Sequence, residues 1–229
     1  MFTLGIIVII LYVLVAMVNV WANANERLAV MKRTKPLLMP LLIIAYFLFR
    51  REGVDFHWLF PVALAAGWIG DLTVERAEIG VPFFLLEHVI LIVLFIRLMP
   101  STPSITYIIL TVAALVLVAG FFLWSIRRKA GKYFPLIALY GLVIVAMAAL
   151  AFLLITQAMN PSHYAIALGS ALFLVSDLVL SKDIINIWHK FEPAMAPAAY
   201  REPNYNNALV MATYTAAQLL ITLGVAYIL

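Results

Sequence analysis

Two aspartates sit inside apolar stretches. Asp177 nears the end of AIALGSALFLVSDLVL, residues 165–180, and Asp71 nears the end of ALAAGWIGDLTV, residues 63–74. In each, small residues precede the acid, and Asp-Leu follows as Asp71-Leu72 and Asp177-Leu178. A carboxylate within a membrane span costs about 3 kcal/mol, so it marks a partner or a task. Two acids held near each other out of water push their titrations apart, so one can give a proton while the other takes one. The pair is therefore the catalytic candidate.

Few other side chains in the apolar runs are polar. Glu87 and His88 are adjacent in one of them. Tyr214 and Gln218 are one helical turn apart and share a face, as substrate contacts or as polar glue between helices. Ser176 precedes Asp177 and is expected to bond back to its own helix rather than act as a nucleophile. Lys35 begins a span beside the head groups, as an anchor or a phosphate ligand. Lys35, Glu87, His88, Ser176, Tyr214 and Gln218 form the candidate substrate-binding set. The sequence has no cysteine, no GxSxG elbow and no HExxH pair, and Glu87-His88 has no metal-ligand spacing. Neither a metal nor a cofactor is expected.

These residues need helices to position them. The chain has 229 residues, 66% hydrophobic and 11% charged, with a mean hydropathy of +1.08. Soluble domains are about 45–50% apolar and about 25% charged. The reading is an all-α integral membrane protein, one domain over 1–229, with eight transmembrane helices in one bundle. The spans fall at about 3–22, 36–50, 57–74, 81–99, 104–126, 133–156, 165–180 and 205–228. The first is expected to be an uncleaved span, since no basic residue precedes it. Pro36 is expected at the first turn of span 2, with Pro40 either kinking the helix or marking a later start. Spans 5 and 6 are bland. A loop over 181–204 contains Ile184, Ile185, Trp188 and Phe191 at helical spacing, the pattern of an amphipathic helix on the membrane surface. Spans 3 and 7, each third in a set of four, hint at a four-plus-four repeat.

The net charge of +4 reflects topology rather than nucleic-acid binding. Loops after spans 1, 3, 5 and 7 hold twelve of the fifteen Lys and Arg residues. Those loops are then cytoplasmic, and both termini lie on the non-cytoplasmic side. Asp71, Asp177, His88, Lys35, Tyr214 and Gln218 all fall toward the cytoplasmic leaflet. Asp71 sits four residues before Glu75, about 6 Å below the loop at ~1.5 Å per residue. His57 and His163 lie at the opposite ends of their spans and read as interfacial.

Five stretches together resemble the YhhN family of lysoplasmalogenase-like membrane proteins: Thr34-Lys35-Pro36-Leu37; 66–72 with Gly70-Asp71; Phe83-Phe84 with His88; 169–180 with Phe173 and Ser176-Asp177; and Thr213-Tyr214 with Ala217-Gln218-Leu219. The resemblance implies an eight-span fold and hydrolysis of the vinyl ether of lysoplasmalogens, giving a fatty aldehyde and a glycerophospho-ethanolamine or -choline. Asp71 and Asp177 carry over as catalytic. The chain departs from the family where no aromatic follows His88 before Phe95, and where Thr215 rather than a second Tyr follows Tyr214. The expected partners are a lysophospholipid substrate and membrane lipids, in a bacterial inner membrane, with the site opening toward the cytoplasmic leaflet. The competing readings are a proton-coupled transporter and a lysolipid-binding protein without catalysis.

Overall fold

The computed structural model describes residues 2–50, 56–74, 76–127, 134–157, 159–190 and 205–228. They form eight helices: α1 Phe2–Ala24, α2 Leu28–Phe49, α3 Leu59–Thr73, α4 Ala77–Leu98, α5 Ile105–Ile126, α6 Phe134–Gln157, α7 Pro161–Lys190 and α8 Tyr205–Ile228. No strand occurs among the described residues. Five helices are long and apolar enough to cross a membrane: α1, α4, α6, α7 over Pro161–Leu180, and α8. Shorter apolar stretches cover Leu59–Thr73 and Ile105–Phe121. Leu117 and Phe121 of α5 are 73% and 70% exposed, an outward apolar face that hydrocarbon solvates and water does not.

Neighbouring helices form a closed ring, α2, α3, α4, α6, α7, α8 and back to α2. α1 lies in the crease between α2 and α8, and α5 packs against the outside of α6. Replacing each helix by the one four further along the chain maps these neighbour pairs onto one another. Thus α1–α2 becomes α5–α6, α2–α3 becomes α6–α7, α3–α4 becomes α7–α8, and α4–α6 becomes α8–α2. Only α1–α8 has no counterpart among the principal pairs. This neighbour pattern is the one expected of two four-helix units packed in the same way.

Three boundaries differ from the sequence reading. α2 starts at Leu28, so Pro36 and Pro40 both lie inside it. Pro40 has no N–H to give the carbonyl of Pro36, which would otherwise be left orphaned. The Trp68 indole N–H of α3 donates to that carbonyl instead, at 2.9 Å. An interior proline is thus accommodated by a neighbouring helix. α4 starts at Ala77, leaving a shorter connection after α3. The third difference is α7, which continues as one helix through Lys190. The last ten residues add about 15 Å beyond the apolar segment. A separate surface helix from residue 181 is therefore not formed, and Phe191 lies outside the described residues.

α7 and α8 approach closely through small residues. A Cβ on Gly169 would stand 2.9 Å from the Ala217 carbonyl oxygen, and one on Gly224 would stand 2.7 Å from that of Ser162. Backbone cannot yield as a side-chain tip does, so these glycines set the interhelical distance. Gly120 of α5 has nothing within 4 Å of the same position. Gly169→Ala and Gly224→Ala should each lower the melting temperature of the detergent-solubilised protein, whereas Gly120→Ala should leave it unchanged or raise it.

Candidate active site

One end of the ring, where α1, α3 and the apolar part of α7 finish and α2, α4 and α8 begin, encloses a cavity of about 350 Å³. Asp71 and Asp177 both line it, from α3 and α7. So do Lys35, Ser176 and Tyr214, with Asn19, Asn23, Lys32, Phe84 and Asn207. Both carboxylates are buried, at 5% and 7% exposure.

Each acid is held from two helices. Lys35 of α2 brings its Nζ to 3.2 Å from Asp71 Oδ1. The Tyr214 hydroxyl of α8 donates to Asp71 Oδ2 at 2.9 Å. On the other side, the Tyr140 hydroxyl of α6 donates to Asp177 Oδ2 at 2.8 Å. His88 of α4 places Nε2 at 3.7 Å from the same oxygen. Stepping four helices along exchanges α2 with α6 and α8 with α4. Lys35 and Tyr140 thus come from counterpart helices, as do Tyr214 and His88.

The remaining predicted residues stand behind the cavity wall. Glu87 and His88 are wholly buried, and Gln218 nearly so. None of the three lines the cavity. Gln218 Nε2 donates to Glu87 Oε1 at 2.6 Å, while Glu87 Oε2 has no hydrogen-bond partner. His88 Nδ1 lies 2.6 Å from the Phe84 carbonyl. A carbonyl only accepts, so that nitrogen carries a hydrogen, and Nε2 makes no hydrogen bond. The ring lies edge-on to Phe173 at 4.6 Å and to Tyr140 at 5.8 Å between centroids. Phe173 also meets Tyr214, at 5.3 Å, so aromatic rings fill the bundle beneath the acids. Ser176 does not bond back to its own helix as expected. Its hydroxyl donates to the Val210 carbonyl of α8 at 3.1 Å, because the close α7–α8 packing brings that oxygen nearer than a free rotamer would need.

Several contributors were absent from the sequence reading. Tyr140 comes from a span read as bland; its only signal was a phenol in an otherwise aliphatic run. Asn19 and Asn23 are four residues apart at the end of α1 and buried, a spacing that places both amides on one face. Asn19 Nδ2 donates to Thr34 Oγ1 at 2.7 Å, and Asn23 Nδ2 to Asn19 Oδ1 at 3.1 Å. These bonds fix α1 against the start of α2 at the cavity's edge. Tyr12 supports α8 by donating to the Thr215 carbonyl at 2.8 Å.

Glu87 fits only because residue 67 is glycine. A Cβ there would lie 2.4 to 2.7 Å from the Glu87 carboxyl group. Gly67→Ala should therefore destabilise the fold by about 1–3 kcal/mol through overpacking. In a Glu87→Ala background the same change should cost little, which thermal unfolding of the four proteins of a double-mutant cycle would measure.

No curated protein and no solved structure matches this chain. A family model does: the YhhN family, over residues 30–225. That stretch includes both aspartates and every residue that bonds to them. The chain belongs to the YhhN family.

Proposed function

We propose that this protein is a membrane hydrolase that cleaves the vinyl ether of lysoplasmalogens to a fatty aldehyde and a glycerophospho-ethanolamine or -choline. The observation that carries the reading is the convergence of Asp71 and Asp177, from separate helices, on one cavity at one end of an apolar bundle. A vinyl ether resists base and yields to acid. Its slow step is protonation of the alkene carbon remote from oxygen. The resulting oxocarbenium ion is stabilised by a nearby anion and captured by water. An acid and a base suffice for this, and the cavity presents two carboxyl groups with hydroxyl and ammonium neighbours.

The substrate's form suits the site. A lysolipid keeps its head group at the membrane surface and its chain in hydrocarbon, with the vinyl ether just below the head group. Lys32 and Lys35 line the cavity and supply positive charge for a phosphate. Phe84, Val210 and Met211 supply apolar wall for the start of the chain. The fold has eight transmembrane helices in this reading, with both termini outside and the cavity facing the cytoplasmic leaflet of a bacterial inner membrane.

Purified protein should release aldehyde from lysoplasmenyl lipid. Asp71→Asn and Asp177→Asn should each lower the rate by at least about 100-fold, the usual worth of a general acid or base. Equal release from all three proteins would remove the catalytic assignment. The absence of native cysteine makes the orientation directly readable. On intact cells a membrane-impermeant maleimide should label Thr102→Cys and spare Asn25→Cys.

A further inference from the structure

We propose that the two aspartates have fixed and different tasks: Asp177 gives its proton to the alkene carbon, and Asp71 is the ionised carboxylate that takes a proton from water. This assignment rests on the hydrolase reading above and goes beyond it by naming donor and acceptor. What carries it is the broken symmetry of the site. Counterpart helices α2 and α6 hold Lys35 beside Asp71 and Tyr140 beside Asp177. A cation at 3.2 Å favours a carboxylate. A phenol carries no charge, favours the ionised form less than a cation does, and can still donate to the carbonyl oxygen of a protonated acid. The second pair of partners differs in the same direction. Tyr214 gives Asp71 a hydrogen-bond donor at 2.9 Å. His88, its Nδ1 hydrogen directed at the Phe84 carbonyl, places Nε2 3.7 Å from Asp177 Oδ2 and makes no hydrogen bond to it.

The step balances. The alkene π electrons form the new C–H bond with the Asp177 proton, leaving Asp177 ionised and the carbon next to oxygen as part of an oxocarbenium ion. A lone pair of water forms a C–O bond there while Asp71 takes a water proton. The hemiacetal then breaks its bond to the glycerol oxygen, which receives the proton from Asp71. The hemiacetal hydroxyl proton returns to Asp177. One water is consumed and both acids are restored. Tyr140, His88 and Tyr214 act through the aspartates and are positioning residues, and Lys35 does the same for Asp71 besides lending its charge to the phosphate.

The charged and titratable groups around the pair are few. Asp71 faces Lys35 from α2 and Tyr214 from α8, with Tyr12 of α1, Glu87 of α4 and Asp177 of α7 within electrostatic reach. Asp177 faces Tyr140 from α6 and His88 from α4, with Glu87 and Asp71 further off. The test is therefore which limb of the pH profile each partner controls. For a base that must be ionised and an acid that must be protonated, kcat/KM rises through the low-pH limb and falls through the high-pH limb. Aldehyde release from lysoplasmenyl-ethanolamine would be followed from pH 4 to 10 for wild type, Lys35→Met, Lys35→Arg and Tyr140→Phe.

Loss of the Lys35 cation makes Asp71 harder to ionise. Lys35→Met should move the low-pH limb upward by about one pH unit or more and leave the high-pH limb in place. Lys35→Arg keeps the charge and should keep the wild-type low-pH limb. Tyr140→Phe removes a donor to Asp177 and should move the high-pH limb upward by a smaller amount, with the low-pH limb fixed. Exchanged tasks would exchange the limbs in both variants, and that result overturns the assignment. So does a profile in which neither limb moves, or both move together. If Lys35→Met fails to fold, Tyr140→Phe decides by itself, since it deletes a single oxygen. Wild-type protein that releases no aldehyde at any pH would instead sink the hydrolase reading, and the assignment with it.

Discussion

Two carboxyl groups kept from water govern the arrangement of this bundle. A buried acid that loses its partner costs several kcal/mol, so its neighbours are not free to drift. The partners of Asp71 come from α2 and α8, and those of Asp177 from α6 and α4. With α3 and α7 carrying the acids, all six helices of the ring are committed to one polar centre. α1 joins by the Tyr12 bond to α8 and by the Asn19 bond to Thr34. α5 carries none of these residues, and its exposed Leu117 and Phe121 fit a helix whose main neighbour is lipid.

Close packing supplies the precision. Hydrocarbon gives helices no hydrophobic reason to associate, so contact depends on shape and on hydrogen bonds. Gly169 and Gly224 let α7 and α8 meet backbone to side chain, and the Ser176 bond to Val210 follows from that approach. Gly67 makes room for the Glu87 carboxyl group, and Trp68 covers the carbonyl that Pro40 exposes. The stretch from Gly67 to Asp71 thus combines clearance, a donor and an acid within about one and a half turns of helix.

The site is one-sided. Its polar lining gathers at one end of the ring, while Phe173, His88, Tyr140 and Tyr214 stack beneath it and close off the interior. Helices with similar neighbours surround the pocket on both sides, yet the acids differ in what they meet, Lys35 and Tyr214 for Asp71 and Tyr140 and His88 for Asp177.

Much of this was written in the chain itself. Apolar runs of span length force helices, because in hydrocarbon every backbone polar group must be satisfied within its own segment. An acid in such a run is costly wherever it points, so Asp71 and Asp177 stood out before any fold was known. Lys35 and Tyr214 were visible for the same reason. Pairings between distant helices were not. Tyr140 looks like any packing aromatic until α6 is laid beside α7, and His88 and Gln218 show their places behind the cavity wall only in three dimensions. The start of α2 was misjudged because Pro36 lies inside the helix rather than at its first turn, and the next proline's missing bond is made good by an indole from α3. Composition and local pattern determined the helices and their costly residues. Tertiary packing alone decided which partner each acid received, since that depends on distances between segments that no local rule encodes.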